Sequence, residues 1–193
     1  MTYPVFATGD VLPASDMNAI GLWKISPTAV SGTGVSNSSG NITFSASTEI
    51  ILDGIFSADY RQYLIMWDAQ TSAGGGTVNL QFRDSTNATV ATNYNRQTID
   101  ATGATLTSSA STAQTSMRVG ANDASGYNAL ELKIFAPNVA LPTRVIATYV
   151  RNNGANSEQN FGAQTGSTVM NGIRLSVSSG NMTGSMFVYG MRA

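Results

Sequence analysis

The chain has 193 residues with no cysteine and no histidine, which excludes disulfides, thiol nucleophiles, imidazole bases, His–Cys zinc sites and every Ser-His-Asp or Cys-His arrangement. That length suits one domain, or one domain with a small appendage, and is enough to bury a stable core. Charged residues are only 11% of the chain, against about 25% in ordinary domains, and the net charge is −1 with ten cations spread singly, so nucleic acid is not an expected partner.

Sparse charge points to a subunit whose faces are covered by neighbours more than to a free monomer. Met1–Pro4 offers no basic leader, and no apolar run reaches about 18 residues, so neither secretion by a signal peptide nor membrane insertion is expected. Residues 1–30 read as an N-terminal segment and 31–193 as a β-sandwich domain. In the first, Pro13 or Ser15 as a start, Asp16 in the first turn and Gly21 as a stop predict a helix of two turns at most. A helix this short is unstable alone, so Met17, Ile20 and Trp23 must dock, on the β body or on another protein. Ser31–Gly40 is small and polar and reads as a linker or an extended edge.

Period-two alternation then predicts strands at Asn41–Ser45, Glu49–Leu52, Tyr63–Trp67 and Val78–Arg83, the last with Val78, Leu80 and Phe82 inward. Thr89–Tyr94 and Ser116–Val119 are weaker candidates, separated by a Ser/Thr/Ala stretch from Ala101 to Ala113 whose one large apolar residue is Leu106. Further strands follow at Ala129–Phe135, with Leu130, Leu132 and Ile134 on one face, and at Arg144–Arg151, Ile173–Val177 and Met186–Tyr189, with a turn over Ser178–Gly184. About eight to ten short strands with Gly/Asn/Ser turns predict an all-β fold, an antiparallel sandwich of jelly-roll type. No long repeat is visible, which disfavours a β-helix or propeller.

Three segments carry a family resemblance. Gly9-Asp-Val-Leu-Pro-Ala-Ser-Asp-Met-Asn-Ala-Ile-Gly21 resembles the "GDVLTASDMNAIG" opening of small tail and fibre proteins of tailed bacteriophages, with Pro13 in place of the usual Thr. Asp53-Gly-Ile-Phe-Ser-Ala-Asp-Tyr-Arg-Gln-Tyr-Leu-Ile65 resembles their "gvFsadYdnYrI" strand, and Gly180-Asn-Met-Thr-Gly-Ser-Met-Phe-Val-Tyr-Gly190 their closing "gnmtGtisvYG" hairpin. The resemblance implies a virion location and a head that docks on tail, baseplate or capsid proteins. Leu12, Asp16, Met17, Asn18, Ile20 and Trp23 are the anchoring residues it points to. It implies a homo-oligomer, with a trimer favoured. Independently of any family, Phe56, Tyr60 and Tyr63 are spaced to close one end of the core, with tyrosine hydroxyls bonding backbone at the rim.

With thiols and imidazoles absent, carboxylate pairs are the remaining catalytic option. The candidates are Asp53 with Asp59, Asp84, Asp100, Asp123, Glu131 and Glu158; Asp53 and Asp59 flank a turn, where solvated carboxylates ordinarily sit. Lys133 falls on the outward phase of its strand, which argues against Ser-Lys chemistry. Asn122–Gly126 lacks the length and terminal Glu of a calcium loop, and Gly74–Gly76 lacks the Lys and helix of a phosphate loop. No catalytic residue, metal or cofactor is therefore expected. The expected function is a non-enzymatic virion protein that presents the sandwich for adhesion to a host surface glycan or protein. Loops at Gln70–Thr77, Asn93–Gln97, Gly120–Asn128 and Asn152–Asn160 are the candidate contacts. The alternatives are a capsid decoration or head-fibre protein and a polysaccharide-degrading spike subunit.

Overall fold

Alternation alone places half the strands, and backbone pairing supplies the rest. The computed structural model describes residues 21–121, 126–151 and 156–191. Among them are fifteen strands and no helix. The first five are β1 (Leu22–Ile25), β2 (Ala29–Ser31), β3 (Val35–Ser38), β4 (Asn41–Ser47) and β5 (Glu49–Asp53). The middle of the chain holds β6 (Gln62–Thr71), β7 (Thr77–Asp84), β8 (Tyr94–Thr102), β9 (Thr105–Gln114) and β10 (Met117–Ala121). The last five are β11 (Tyr127–Phe135), β12 (Thr143–Val150), β13 (Asn156–Gln164), β14 (Met170–Val177) and β15 (Met182–Met191).

All pairings are antiparallel and build two sheets. The larger runs β3-β4-β15-β6-β11-β12-β13-β8-β9, with β1 also on β15; the smaller runs β10-β7-β14-β5-β2. Eight strands form the nucleus: β4-β15-β6-β11 lies over β5-β14-β7-β10, and along these eight the chain changes sheet at β4–β5, β5–β6, β6–β7, β10–β11, between β11 and β14, and at β14–β15. That order is a jelly roll, two Greek keys laid face to face. The hairpins β8–β9 and β12–β13 are additions, both hung on the β11 edge of the larger sheet.

The core fills the space between the sheets. Ile42 and Phe44 of β4, Tyr63, Ile65 and Trp67 of β6, Leu130, Leu132 and Ile134 of β11 and Met186 and Val188 of β15 meet Ile50, Leu52, Val78, Leu80, Phe82, Ile173 and Leu175 from the smaller sheet. Full burial contributes about 1.5–3 kcal/mol for each large side chain. The inward phases expected for Val78–Phe82 and Leu130–Ile134 are the observed ones.

Four expectations are corrected. Thr89–Tyr94 is not a strand: Thr89 makes a single bridge to Arg83, and left-handed backbone at Asn87 (φ 62°) and Asn93 (φ 64°) breaks the extension. The supposed separator Ala101–Ala113 is the end of β8, the turn and nearly all of β9 in one hairpin; β9 buries almost nothing on either face, so its sequence carries no period to detect. Asn156–Asn160 is not loop but the start of β13, whose inward residues Glu158, Asn160 and Gln164 are polar and buried, the reverse of the usual pattern. Of the turn placed over Ser178–Gly184, residues 182–184 already belong to β15. Ser31–Gly40 holds the last residue of the edge strand β2 and all of the edge strand β3, the second of its two expected forms. The helix expected at Pro13–Gly21 lies outside the described residues except for Gly21. Residues 22–30, grouped by sequence with the N-terminal segment, include β1, paired with β15, and the start of β2, paired with β5.

Candidate adhesive end and its surroundings

Register gives the sandwich two distinct ends. At one end Gln62 of β6 stands beside Met191 and Phe135, and Leu22 stands beside Met191, so the chain both enters and leaves the sheets there. At the other end Thr71 pairs with Met182 and Gln70 with Tyr127. The segments 72–76 and 178–181 join strands at this far end, the β8–β9 turn lies there too, β10 and β12 end there at Ala121 and Val150, and β11 and β13 begin there at Tyr127 and Asn156, because Val150 pairs with Ala129 and Asn156 with Thr102. The length of β6 sets the separation of the ends at about 30 Å.

Two far-end turns are tied together. The Ser72 N–H donates to the Asn181 carbonyl (2.9 Å), and the Asn181 N–H donates to Ser72 Oγ (2.9 Å). The Ser178 N–H donates to the Thr77 carbonyl (3.0 Å), and the Thr77 N–H donates back to Ser178 Oγ (2.8 Å). Gly180, with φ at 68°, brings the turn so near Ala73 that an added Cβ would lie 2.7 Å from the Ala73 methyl. The rim is thus a fixed platform of small polar residues. Of the four expected contact loops, Gln70–Thr77 and the described parts of Gly120–Asn128 are at this end. Asn156–Asn160 runs away from it as β13. Asn93–Gln97 opens β8 at the opposite end, since Tyr94 pairs with Gln164.

The near end is closed by the tyrosines named from sequence. The Ser57 N–H donates to the Tyr63 hydroxyl (2.8 Å), which donates to the Ser57 carbonyl (3.0 Å). Phe56 packs edge-on against Tyr63 with centroids 4.7 Å apart, and Tyr60 at 6.0 Å. Gly190 leaves room for the Tyr60 ring, 2.5 Å from where a Cβ would stand. Burial raises the Tyr63 pKa and fixes it as a neutral donor. Tyr94, read from sequence only as the last residue of a strand, does the same work between elements. It accepts from the buried Phe82 N–H (2.7 Å) and donates to the Val90 carbonyl (2.8 Å), and burial pushes its pKa far up. Of the expected anchoring residues, Leu12, Asp16, Met17, Asn18 and Ile20 lie outside the described residues. Trp23 is half-buried in β1 opposite Gly190, on the same phase as Ile25.

The carboxylates are nearly all committed. Asp53 is not solvated, as its turn position implied, but buried and bridged to Arg83 (2.5 and 3.3 Å). Asp59 is exposed beside Ser57. Asp84 holds its own turn, accepting from the Thr86 hydroxyl (2.7 Å) and the Thr86 and Ala88 N–H groups; these bonds, the Thr86 hydroxyl first, hold its pKa below the usual range. Glu131 pairs with Lys133 (2.8 Å) on the outward face, where Lys133 was expected. Asp123 lies outside the described residues. Asp100 and Glu158 are brought together as cross-strand partners. Arg118 grips Glu158 at both oxygens (3.0 and 2.5 Å), Arg151 adds a third bond (3.1 Å), and Asp100 lies 3.8 and 3.9 Å from the same two guanidiniums. Arg96, nearby, has its pKa lowered by burial and then by Arg118. This cluster ties β10 to β8, to β13 and to Arg151 just past the end of β12. Among the described residues no three metal-ligating side chains converge, and no helix is long and apolar enough to cross a membrane.

Sequence reasoning missed one surface feature. Phe161, in a strand whose first five residues were read as loop, is 37% exposed on the outer face of the larger sheet, with shallow hollows of about 380 and 460 Å³ beside it. Ile146, paired with it across β12, is 36% exposed. The signal was present in Val145–Val150 and Tyr63–Trp67, which are apolar on both phases, as strands buried on both faces are. Compared with known proteins, the chain matches no family model, no curated protein and no solved structure.

Proposed function

We propose that this chain is a non-enzymatic structural protein of a bacteriophage virion, a tail fibre or minor tail protein. Its first 20 residues attach to a virion partner, and its sandwich is presented for adhesion to a host surface. The observation that carries this reading is the polarity of the body. The described chain enters the sheets at Leu22 at one end, and the turns 72–76, 103–104 and 178–181 gather about 30 Å away at the other. The three segments resembling phage tail and fibre proteins support it, as does the commitment of most described carboxylates to arginine, lysine or turn backbone. A rigid rim of Ser, Gly and Asn suits weak polar contacts whose strength comes from copy number.

Removal of residues 1–20 tests it. The cut spares β1, so the truncated protein is expected to fold as the full chain does while failing to enter particles made by a phage lacking the full-length gene. Incorporation at the normal copy number refutes the anchor. Copy number of the full chain then separates a tail position, in small multiples, from a capsid one, in dozens to hundreds.

A further inference from the structure

We infer that the outer face of the larger sheet, centred on Ile146 and Phe161, is covered by a second copy of this chain. An antiparallel sandwich in water ordinarily shows polar residues on both outer faces. The smaller sheet obeys: its outer phase carries Glu49, Gln81, Arg83 and Arg174, with Arg174 bonded to Glu49 (2.7 Å) and Gln81 (2.5 Å) and Arg83 to Asp53. The larger sheet does not. Register places Leu64, Lys133, Ile146, Phe161, Gln97 and Ala110 in one row across it, and Met66, Glu131, Thr148, Gln159, Ile99 and Ser108 in the next.

Charge is sparse on this face. The outward phases of β13, β8 and β9 hold none, β12 holds Arg144 alone, β6 holds Asp68 alone, and the Glu131–Lys133 pair on β11 cancels itself. Six strands from β6 to β9, spaced ~4.8 Å apart and overlapping over ~9 residues of ~3.3 Å, make a face of about 850 Å². A stable association needs about 800 Å² per partner. The face is therefore large enough for a second copy by itself, and it is depleted of charge in the way interface cores are. Covering it also explains β9. That strand is exposed on both faces, carries Leu106 at 71% exposure, and has on its free edge none of the charges or prolines that protect an edge strand from pairing. An adjoining subunit supplies the burial that a single chain leaves out.

This inference deepens the proposed function by naming how the subunits associate, and its failure is separable from failure of the anchor. Light scattering on the full chain at micromolar concentration is expected to give an integer multiple of the single-chain mass. The double variant Ile146→Glu with Phe161→Glu is expected to fall to the single-chain mass with its β circular dichroism retained, whereas Ser176→Glu on the smaller sheet keeps the multiple. A wild type of single-chain mass, or a folded double variant that keeps the multiple, overturns the interface. A double variant that keeps the multiple but loses cell binding also overturns it and makes the face a receptor surface. Should the double variant not fold, spin labels settle the matter cleanly, because the chain has no cysteine of its own. Labelled Gln159→Cys is expected to show dipolar coupling between subunits, and its absence overturns the inference. None of these outcomes bears on incorporation through residues 1–20.

Discussion

Glu158→Gln isolates the charge cluster around Arg118 and Arg151. The Glu158 carboxylate has a side-chain exposure of 0% and receives three bonds from Arg118 and Arg151. The amide keeps the shape but removes the charge, leaving two guanidiniums facing each other beside Arg96, whose own charge is already disfavoured. Removing one partner of a fully buried pair costs about 3–5 kcal/mol. Here Arg118 and Arg151 are 26% and 20% exposed, and Asp100 stays within 4 Å, so solvent and the remaining acid reduce the loss. The expected loss is about 2–3 kcal/mol. At about 2–4 °C per kcal/mol for a chain of this size, Tm should drop by about 5–10 °C in scanning calorimetry. Urea unfolding should show a lower midpoint at unchanged slope. The matched control Glu131→Gln breaks a half-exposed pair and should cost about 0–1 kcal/mol. A Glu158→Gln protein melting within about 1 °C of wild type refutes the argument, because it means the guanidiniums are solvated and the clamp holds nothing.

Tyr94→Phe deletes the hydroxyl between the Phe82 N–H and the Val90 carbonyl, and stranding those groups should cost about 1–3 kcal/mol by chemical denaturation. Gly120→Ala drives a methyl to 2.3 Å from the Tyr149 ring, so overpacking of about 1–3 kcal/mol is expected as a lowered Tm. Asp84, whose pKa is depressed in the folded state, contributes stability that is complete above its unfolded pKa of about 3.9 and is lost as pH falls through the folded value. Asp84→Asn should accordingly flatten the acid side of the Tm–pH curve and leave its neutral side lower than wild type. A two-residue insertion after Gly75, at an open turn where an added Cβ meets nothing, should change stability by less than about 0.5 kcal/mol in the same melts.

Legibility followed burial. Strands with one apolar and one polar phase, such as Val78–Arg83 and Ala129–Phe135, were readable because water and core face opposite sides of them. The tyrosine closure at Phe56, Tyr60 and Tyr63 was readable from spacing. β13 was not, because Glu158 and Asn160 invert the pattern, the first accepting from Arg118 and the second from the Thr98 hydroxyl inside the sandwich. Asp53 was misplaced for a related reason: its charge spoke for solvent, while its partner Arg83 stands 30 residues away in sequence. The rim was half legible. Glycine and serine marked Ser72–Gly76 as a turn, but only register shows which turns share an end, and it moved Asn93–Gln97 to the opposite one.

The two added hairpins form a wing with a fixed order of dependence. β8–β9 holds on to the body chiefly through β13, whereas β12–β13 rests directly on β11. A version of this fold could lose the outer arm and still present a finished edge, but one that lost the inner arm would leave the outer with no ladder to join. Elaboration of the jelly roll on this side is therefore layered like growth rings, the later strands presupposing the earlier, and variation in length should be found first in the outermost turn.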